Sequence, residues 1–320
     1  MAEQSRYRRY SEVMAERFGS KVYKIPINLP ATCPNRDGRV SAGGCSFCGA
    51  VGAGFECQAA TMPVREQFAR NAEYIGKKYK AQGFIAYFQN FSNTYMPPEA
   101  FSEVLNSLEG LPVLGVSVST RPDCVADAHL EVLKRAAERH SWHVTLEYGL
   151  QTVNYHTLDR LNRGHGLAEY IDAVVRTRRY GFEVCTHLIL NLPGDTDRDA
   201  LESAAVLAAL EVEQVKLHGL YILRGTALGE AYERGEVPMI TAEAYVDRVV
   251  AFIRHASPRL VFQRLAGRAP ESETLFCNWG MSWWRLADMI EARLEALDAH
   301  QGDRCTRLGG SAVSQWIERA

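Results

Sequence analysis

Cys33-Pro34-Asn35-Arg36-Asp37-Gly38, and then Gly43-Gly44-Cys45-Ser46-Phe47-Cys48-Gly49, bring three thiols into sixteen residues of polar, glycine-rich chain. Thiolates are the soft ligands that hold iron–sulfur clusters and zinc. A stretch this rich in glycine reads as a loop, wrapped around a metal centre. The number of thiols is informative, because a closed structural site wants four protein ligands and a catalytic one keeps a position open. Cys57, nine residues past Cys48, could complete a four-thiolate zinc site. Zinc ribbons, however, offer two closely spaced cysteine pairs, and only Cys45 and Cys48 form one.

Working outward, a β-branched and aromatic run, Lys21–Leu29, precedes the loop. Further strand candidates are Phe84–Asn90, Val113–Ser119, His143–Tyr148, Phe182–Leu190 and Val215–Ile222, with Leu260–Arg264 as an optional last one. Amphipathic helical patterns alternate with them at Val64–Gln82, Pro98–Glu109, Ala126–His140, Ala168–Tyr180, Arg198–Leu210 and Ala242–His255. This rhythm implies parallel strands joined by right-handed crossovers. The regular unit length predicts an α/β fold, a partial (β/α) barrel of six strands. Active sites of such barrels sit on the loops that leave the strand ends, which puts the cysteine loop at the mouth. Residues 1–20 read as a helical extension and 21–264 as the barrel. Residues 265–320, with Trp279, Trp283, Trp284 and a helix over Met281–Ala299, read as a cap that covers the mouth.

The chain has 320 residues, 47% hydrophobic and 23% charged, with a formal net charge of −2. That balance argues against a surface devoted to nucleic acid or anionic membrane. No run of eighteen apolar residues predicts a membrane span. Met1 to Arg9 is polar and arginine-rich, so a secretory signal is not expected. Eight cysteines in such a chain do not read as a disulfide framework, and a reducing, cytoplasmic location is expected.

With Cys33 twelve residues before it, Cys45-Ser46-Phe47-Cys48 resembles the cluster-binding loop of radical S-adenosylmethionine (SAM) enzymes. The likeness is greatest to the radical-SAM domain of the Elongator catalytic subunit and to the bacterial YhcC-like family. It extends through Ser119-Thr120-Arg121-Pro122-Asp123, Leu146-Glu147-Tyr148-Gly149-Leu150-Gln151 and Leu158-Asp159-Arg160-Leu161-Asn162-Arg163-Gly164-His165. His187-Leu188-Ile189-Leu190-Asn191-Leu192-Pro193-Gly194 and Leu223-Arg224-Gly225-Thr226-Ala227-Leu228 carry it further.

The resemblance implies that Cys33, Cys45 and Cys48 bind three irons of a [4Fe–4S] cluster while SAM chelates the fourth. It implies that Phe47 packs near the adenine, and that Gln89, Asn90 and Phe91 offer backbone groups to the SAM amine. Gln151 matches a ribose-binding position of the oxygen-independent coproporphyrinogen oxidase, and Arg163 an arginine that pairs with the SAM carboxylate. A guanidinium suits that bidentate pairing. His187 stands where that oxidase has a ribose-binding aspartate, and Ser119 where it has a glutamate. Glu147, an acid in an otherwise apolar strand, must be paired or face a cavity.

The implied reaction takes an electron from reduced flavodoxin or ferredoxin and cleaves SAM to methionine and a 5′-deoxyadenosyl radical, which abstracts hydrogen from a substrate. Two other readings stand beside it: a zinc-stabilised binding module using Cys33, Cys45, Cys48 and Cys57, and a scaffold that binds cofactors without cleaving SAM. The basic and aromatic residues Arg6-Tyr7-Arg8-Arg9-Tyr10, with Arg17, Lys21 and Lys24, fit either a solvated helix face or contact with transfer RNA.

Overall fold

The computed structural model describes residues 5–316 except 50, 51, 53 and 56, so the ends of the expected N-terminal extension and C-terminal cap lie outside the described residues. The chain runs α1 (Tyr10–Phe18), β1 (Val22–Ile27), α2 (Val64–Tyr79), β2 (Gly83–Phe88), α3 (Pro98–Asn106) and β3 (Val113–Thr120). There follow α4 (Asp127–His140), β4 (His143–Gln151), α5 (Tyr155–Arg160), α6 (Leu167–Arg179), β5 (Glu183–Ile189) and α7 (Asp197–Ala209). The last third holds β6 (Gln214–His218), β7 (Tyr221–Leu223), α8 (Ala227–Glu233), α9 (Ala242–His255), β8 (Val261–Arg264), β9 (Thr274–Cys277) and α10 (Trp283–Ala296).

Seven strands form one parallel sheet in the order β1-β2-β3-β4-β5-β6-β8. Each strand lies beside its predecessor, so the sheet winds in one direction and curls into a half-barrel with helices outside. The optional strand is real: β8 pairs in register with β6, opposing Gln214 to Val261 and Lys216 to Arg264. One expected strand divides. The chain leaves the sheet after His218, where the Leu220 amide donates to Asn191 Oδ1 at 2.6 Å, and β7 pairs antiparallel with β9 instead.

The apolar residues at period 2 in the strands and period 3.6 in the helices meet in one core between sheet and helix layer. Phe88, Phe101, Leu130, Tyr148, Tyr170 and Phe252 are fully buried there. Two short helices escape a periodicity reading because each is under two turns and is defined by its cap. The Asn154 side chain accepts from the His156 and Thr157 amides to start α5, and Thr226 accepts from Gly229 to start α8. Such caps satisfy the otherwise orphaned first-turn amides.

α1 lies against both sheet edges, β1 and β8. The Phe262 amide donates to Arg8 O at 2.9 Å, and Met14 packs with Val22 and Ile85. The basic and aromatic segment serves this closure. Tyr7 is buried against Phe262, while Arg6, Arg9, Arg17 and Lys24 pair with Asp298, Glu291, Glu183 and Glu147. Those four cations are matched by carboxylates of the same chain, while Arg8 and Lys21 stay exposed.

Candidate functional site

The cysteine loop leaves the C-terminal end of β1 and is fastened from two sides. The Ser46 amide donates to Leu161 O at the end of α5 (2.9 Å), and the Leu228 amide in α8 donates to Ser46 O (2.8 Å). Asn162 holds the glycine-rich approach: its Nδ2 donates to Ala42 O and Gly44 O, and its Oδ1 accepts from Ser41 Oγ at 2.6 Å. Gly44 sits at φ +81, which lets its amide turn back to Asn35 O at 2.7 Å. Gly164 follows Arg163 at φ +70, and a Cβ there would come within 2.5 Å of Asn35 Oδ1. The loop and the Asn162-Arg163-Gly164 turn are therefore packed as one piece.

Donors surround two of the thiols. Arg163 Nη1 lies 3.4 Å from Cys45 Sγ, Asn35 Nδ2 lies 3.6 Å from the same sulfur, and Arg36 Nη2 is 3.4 Å from Cys48 Sγ. Burial pushes the Cys48 thiol up, and the positive charges of Arg36 and Arg163 act against that shift. Cationic N–H donors aimed at two of the three sulfurs suit a cluster held as thiolates, since hydrogen bonds and charge at sulfur stabilise that form.

Cys33, Cys45 and Cys48 line one cavity at the strand ends, with an empty volume of about 850 Å³ including its open mouth. Phe47, Gln89, Ser119, Glu147, Gln151, Arg163 and His187 all line it as well. Asn90 does not. It turns away, donating to Asn28 Oδ1 at 3.0 Å and packing on Gly54, because the strand's alternation sends its side chain opposite to Gln89. Cys57 is also off the lining. Its thiol reaches Gln89 Oε1 at 3.9 Å, and burial raises it to about 12. Trp279, Trp283 and Trp284 are not on this wall either; Trp279 and Trp283 line a second cavity with Arg268 and Phe276, and Trp284 faces solvent. None of the three tryptophans is therefore among the described lining residues of the cysteine cavity.

Gln151 stands in a β-bulge. The register with β5 opposes Gly149 to His187 and then Gln151 to Leu188, and Gln151 takes φ +75, a left-handed conformation costly for a side-chain-bearing residue. The bulge turns the end of β4 into the cavity.

Glu147 is anchored within the barrel. Its carboxylate is fully buried and accepts from Lys24 Nζ, Lys216 Nζ (2.6 Å), Ser117 Oγ (2.6 Å) and His187 Nε2 (2.7 Å). Burial alone would raise it; Lys216, Lys24 and the His187 hydrogen bond outweigh that and hold it well below the usual carboxylate range. With both oxygens so occupied, Glu147 is a structural hub rather than a free ligand group. His187 is pulled down to about 4 by burial and by Lys216, so it is neutral at pH 7.

Among the lining residues that escaped a role at the sequence level are Arg36, Tyr87, Arg121, His218 and Arg264. The Tyr87 hydroxyl accepts from Lys216 Nζ and Ser119 Oγ, both at 3.0 Å. Arg121 is held bidentate by Asp123 (2.8 and 2.7 Å) and donates to Arg163 O at 2.7 Å, so it positions Arg163. The signal for Lys216 and His218 is in Gln214-Val215-Lys216-Leu217-His218, where polar residues recur with period 2 on the face that enters the barrel.

Two family models match the chain: the Radical SAM superfamily over residues 31–207 and the Radical_SAM C-terminal domain over 212–296. YtqA of Bacillus subtilis is 34% identical over 307 residues, covering 95% of this chain and 94% of that protein. YhcC of Escherichia coli is 33% identical over 272 residues, covering 85% and 86%. Among solved structures, Elp3 of the archaeon Methanocaldococcus infernus superposes with a TM-score of 0.65 at 15% identity, covering 92% of this chain and 68% of that one. This likeness confirms the fold, and the family is one of enzymes whose cofactors are a [4Fe–4S] cluster and SAM. No helix among the described residues is long and apolar enough to cross a membrane. With its half-barrel, its cavity at the strand ends and relatives of this identity along nearly its full length, the chain belongs to the radical SAM superfamily.

Proposed function

We propose that Cys33, Cys45 and Cys48 hold a [4Fe–4S] cluster at the barrel mouth and that SAM lies in the adjoining cavity. The observation that carries this reading is that Arg163, the residue expected at the SAM carboxylate, is itself held against Cys45 Sγ on the wall that the three thiols share. Held by those thiols, the cluster would supply one-electron reduction of SAM and with it the means of hydrogen abstraction from a substrate.

The chain's own residues bind and orient. Arg163 offers its unpartnered Nε to a carboxylate, and Phe47 presents an apolar face to the adenine from its packing among Leu161, Leu220 and Leu228. Gln151, Ser119 and His187 stand in reach of a ribose as polar lining, while Gln89 serves through the strand end it occupies. Asn90 supports that strand end through Asn28 and contributes backbone alone. Glu147 holds Lys24, Lys216 and His187 in place beneath the cavity. Burial of the cavity floor keeps water from a reactive radical.

The electron donor is a reduced flavodoxin or ferredoxin, and the reaction is cytoplasmic. A transfer RNA substrate is supported by the likeness to a tRNA uridine(34) acetyltransferase; of the N-terminal cations, Arg6, Arg9 and Arg17 are paired internally while Arg8 and Lys21 are exposed.

Anaerobically reconstituted protein with dithionite should convert SAM to 5′-deoxyadenosine, followed by mass spectrometry. Cys33→Ala, Cys45→Ala and Cys48→Ala should each abolish the product. An intact iron–sulfur spectrum without SAM cleavage would overturn the catalytic reading and favour a scaffold; zinc without acid-labile sulfide would favour the binding module.

A further inference from the structure

The inner end of the cavity has more positive charge than the described residues balance. The register of β5, β6 and β8 sets His187, Lys216 and Arg264 side by side. Lys24, Lys216 and Arg264 enter this region, and Glu147 is the carboxylate that answers them, already shared by the two lysines. Of the other buried arginines, Arg121 has Asp123 and Arg248 has Asp197, while Arg163 is directed at Cys45 Sγ and Gly149 O on the cysteine wall.

Arg264 has none among the described residues. Its Nη2 lies 2.8 Å from His218 Nδ1, and its Nε is buried without a hydrogen-bond partner. His218 is held neutral by burial and by the Arg264 charge, so it accepts a hydrogen bond and offers no counter-charge. A buried cation left in this way is unfavourable until an anion reaches it.

The cofactors do not supply that anion. Three thiolates around an oxidised cluster carry one net negative charge, chelating SAM with its amine deprotonated adds none, and that charge lies at the cysteine loop, where Arg163 and Arg36 face the sulfurs. The carboxylate of SAM is taken by Arg163 in the reading above, on which this inference rests.

We infer that the substrate carries a carboxylate or phosphate group and that this group docks on Arg264 beside His218 and His187. A guanidinium fork matches both oxyanions bidentately. The docking fixes one end of the substrate at the cavity floor and so limits which of its hydrogens reaches the radical.

The test is a titration of the full-length, 15N-labelled protein, following the arginine Nε–Hε signals by NMR. The Arg264 signal is identified by its loss in Arg264→Lys, or by its displacement in His218→Gln should the first variant melt below the wild type. Inorganic phosphate and succinate are added separately, to protein as purified and after anaerobic reconstitution with SAM. The expected result is a saturable shift of the Arg264 signal that persists with SAM bound, with affinity at least tenfold weaker in Arg264→Lys, read on the His218 ring signals. A response to phosphate alone identifies a phosphate ester, and a response to succinate alone a carboxylate. No saturable shift with either anion would overturn the inference, as would a shift that SAM abolishes, since Arg264 would then belong to the SAM carboxylate. Protein that takes up neither cluster nor SAM would sink the proposed function, while the titration of the protein as purified would still decide Arg264.

Discussion

Arg163 joins the cysteine loop to the strand ends: its Nη1 is 3.4 Å from Cys45 Sγ while its Nη2 donates to Gly149 O at 2.6 Å. Because Arg121 in turn holds Arg163 O, the guanidinium cannot swing away without breaking a buried network. Replacing Arg163 by Gln removes charge-assisted hydrogen bonds of about 1.5–3 kcal/mol. SAM affinity of the reconstituted protein should fall by about tenfold to a hundredfold, measured by equilibrium dialysis, with iron content reduced less. Unchanged affinity would remove Arg163 from the SAM site.

Cys57→Ala should leave iron and acid-labile sulfide at wild-type levels, since Cys57 is off the cavity wall and its thiol is raised to about 12 by burial. Loss of metal in this variant, on elemental analysis, would revive a four-thiolate site.

Glu147→Gln strands Lys24 and Lys216 without a counter-charge. Breaking a buried pair by removing one partner costs about 3–5 kcal/mol, so the variant should unfold at markedly lower denaturant. A midpoint equal to wild type would show that Glu147 is not the hub.

His187 has a folded-state value of about 4 against an ordinary 6.5. The unfolded chain therefore binds a proton that the folded chain refuses, and stability is lost as pH falls from about 6.5 towards 4. The slope is about 1.4 kcal/mol per pH unit for this one group, or about 3 kcal/mol across the window. Urea midpoints taken at intervals from pH 7 to pH 4 should show this decline, and His187→Gln should make it shallower, His165 and His218 carrying the rest because burial and neighbouring arginines hold them neutral as well. Glu183, lowered to about 2, adds a further loss only below about pH 4.5.

At Gln151 the backbone conformation favours glycine, so Gln151→Gly should hold or raise stability, by up to about 1 kcal/mol. SAM affinity should fall in the same variant if the side chain binds the ribose. Equal affinity would leave the bulge as the residue's whole contribution.

The barrel was legible in the sequence because strand and helix periods alternate without interruption from Lys21 to Arg264. The cysteine loop and Arg163 were legible because spacing and residue type are local properties. Arg264 was not, since a guanidinium at the end of a short strand becomes unusual only when β6 brings Lys216 and His218 beside it. The division of Val215–Ile222 into β6 and β7 was hidden for a similar reason: Asn191 and the distant β9 decide it. Glu147 was read as paired or cavity-facing, and it is both, on the wall but with its oxygens fully engaged.

The wedge of α1 between the two sheet edges has a consequence for how the molecule assembles. Each sheet strand before β8 can add to a neighbour made shortly before it, so the sheet can grow as the chain is synthesised. The N-terminal segment must wait. Its partners, Phe262 and Gln301, are made more than 250 residues later. A segment made before the sheet is thus docked after it, and the floor of the barrel closes only once Phe262 and Gln301 have been made.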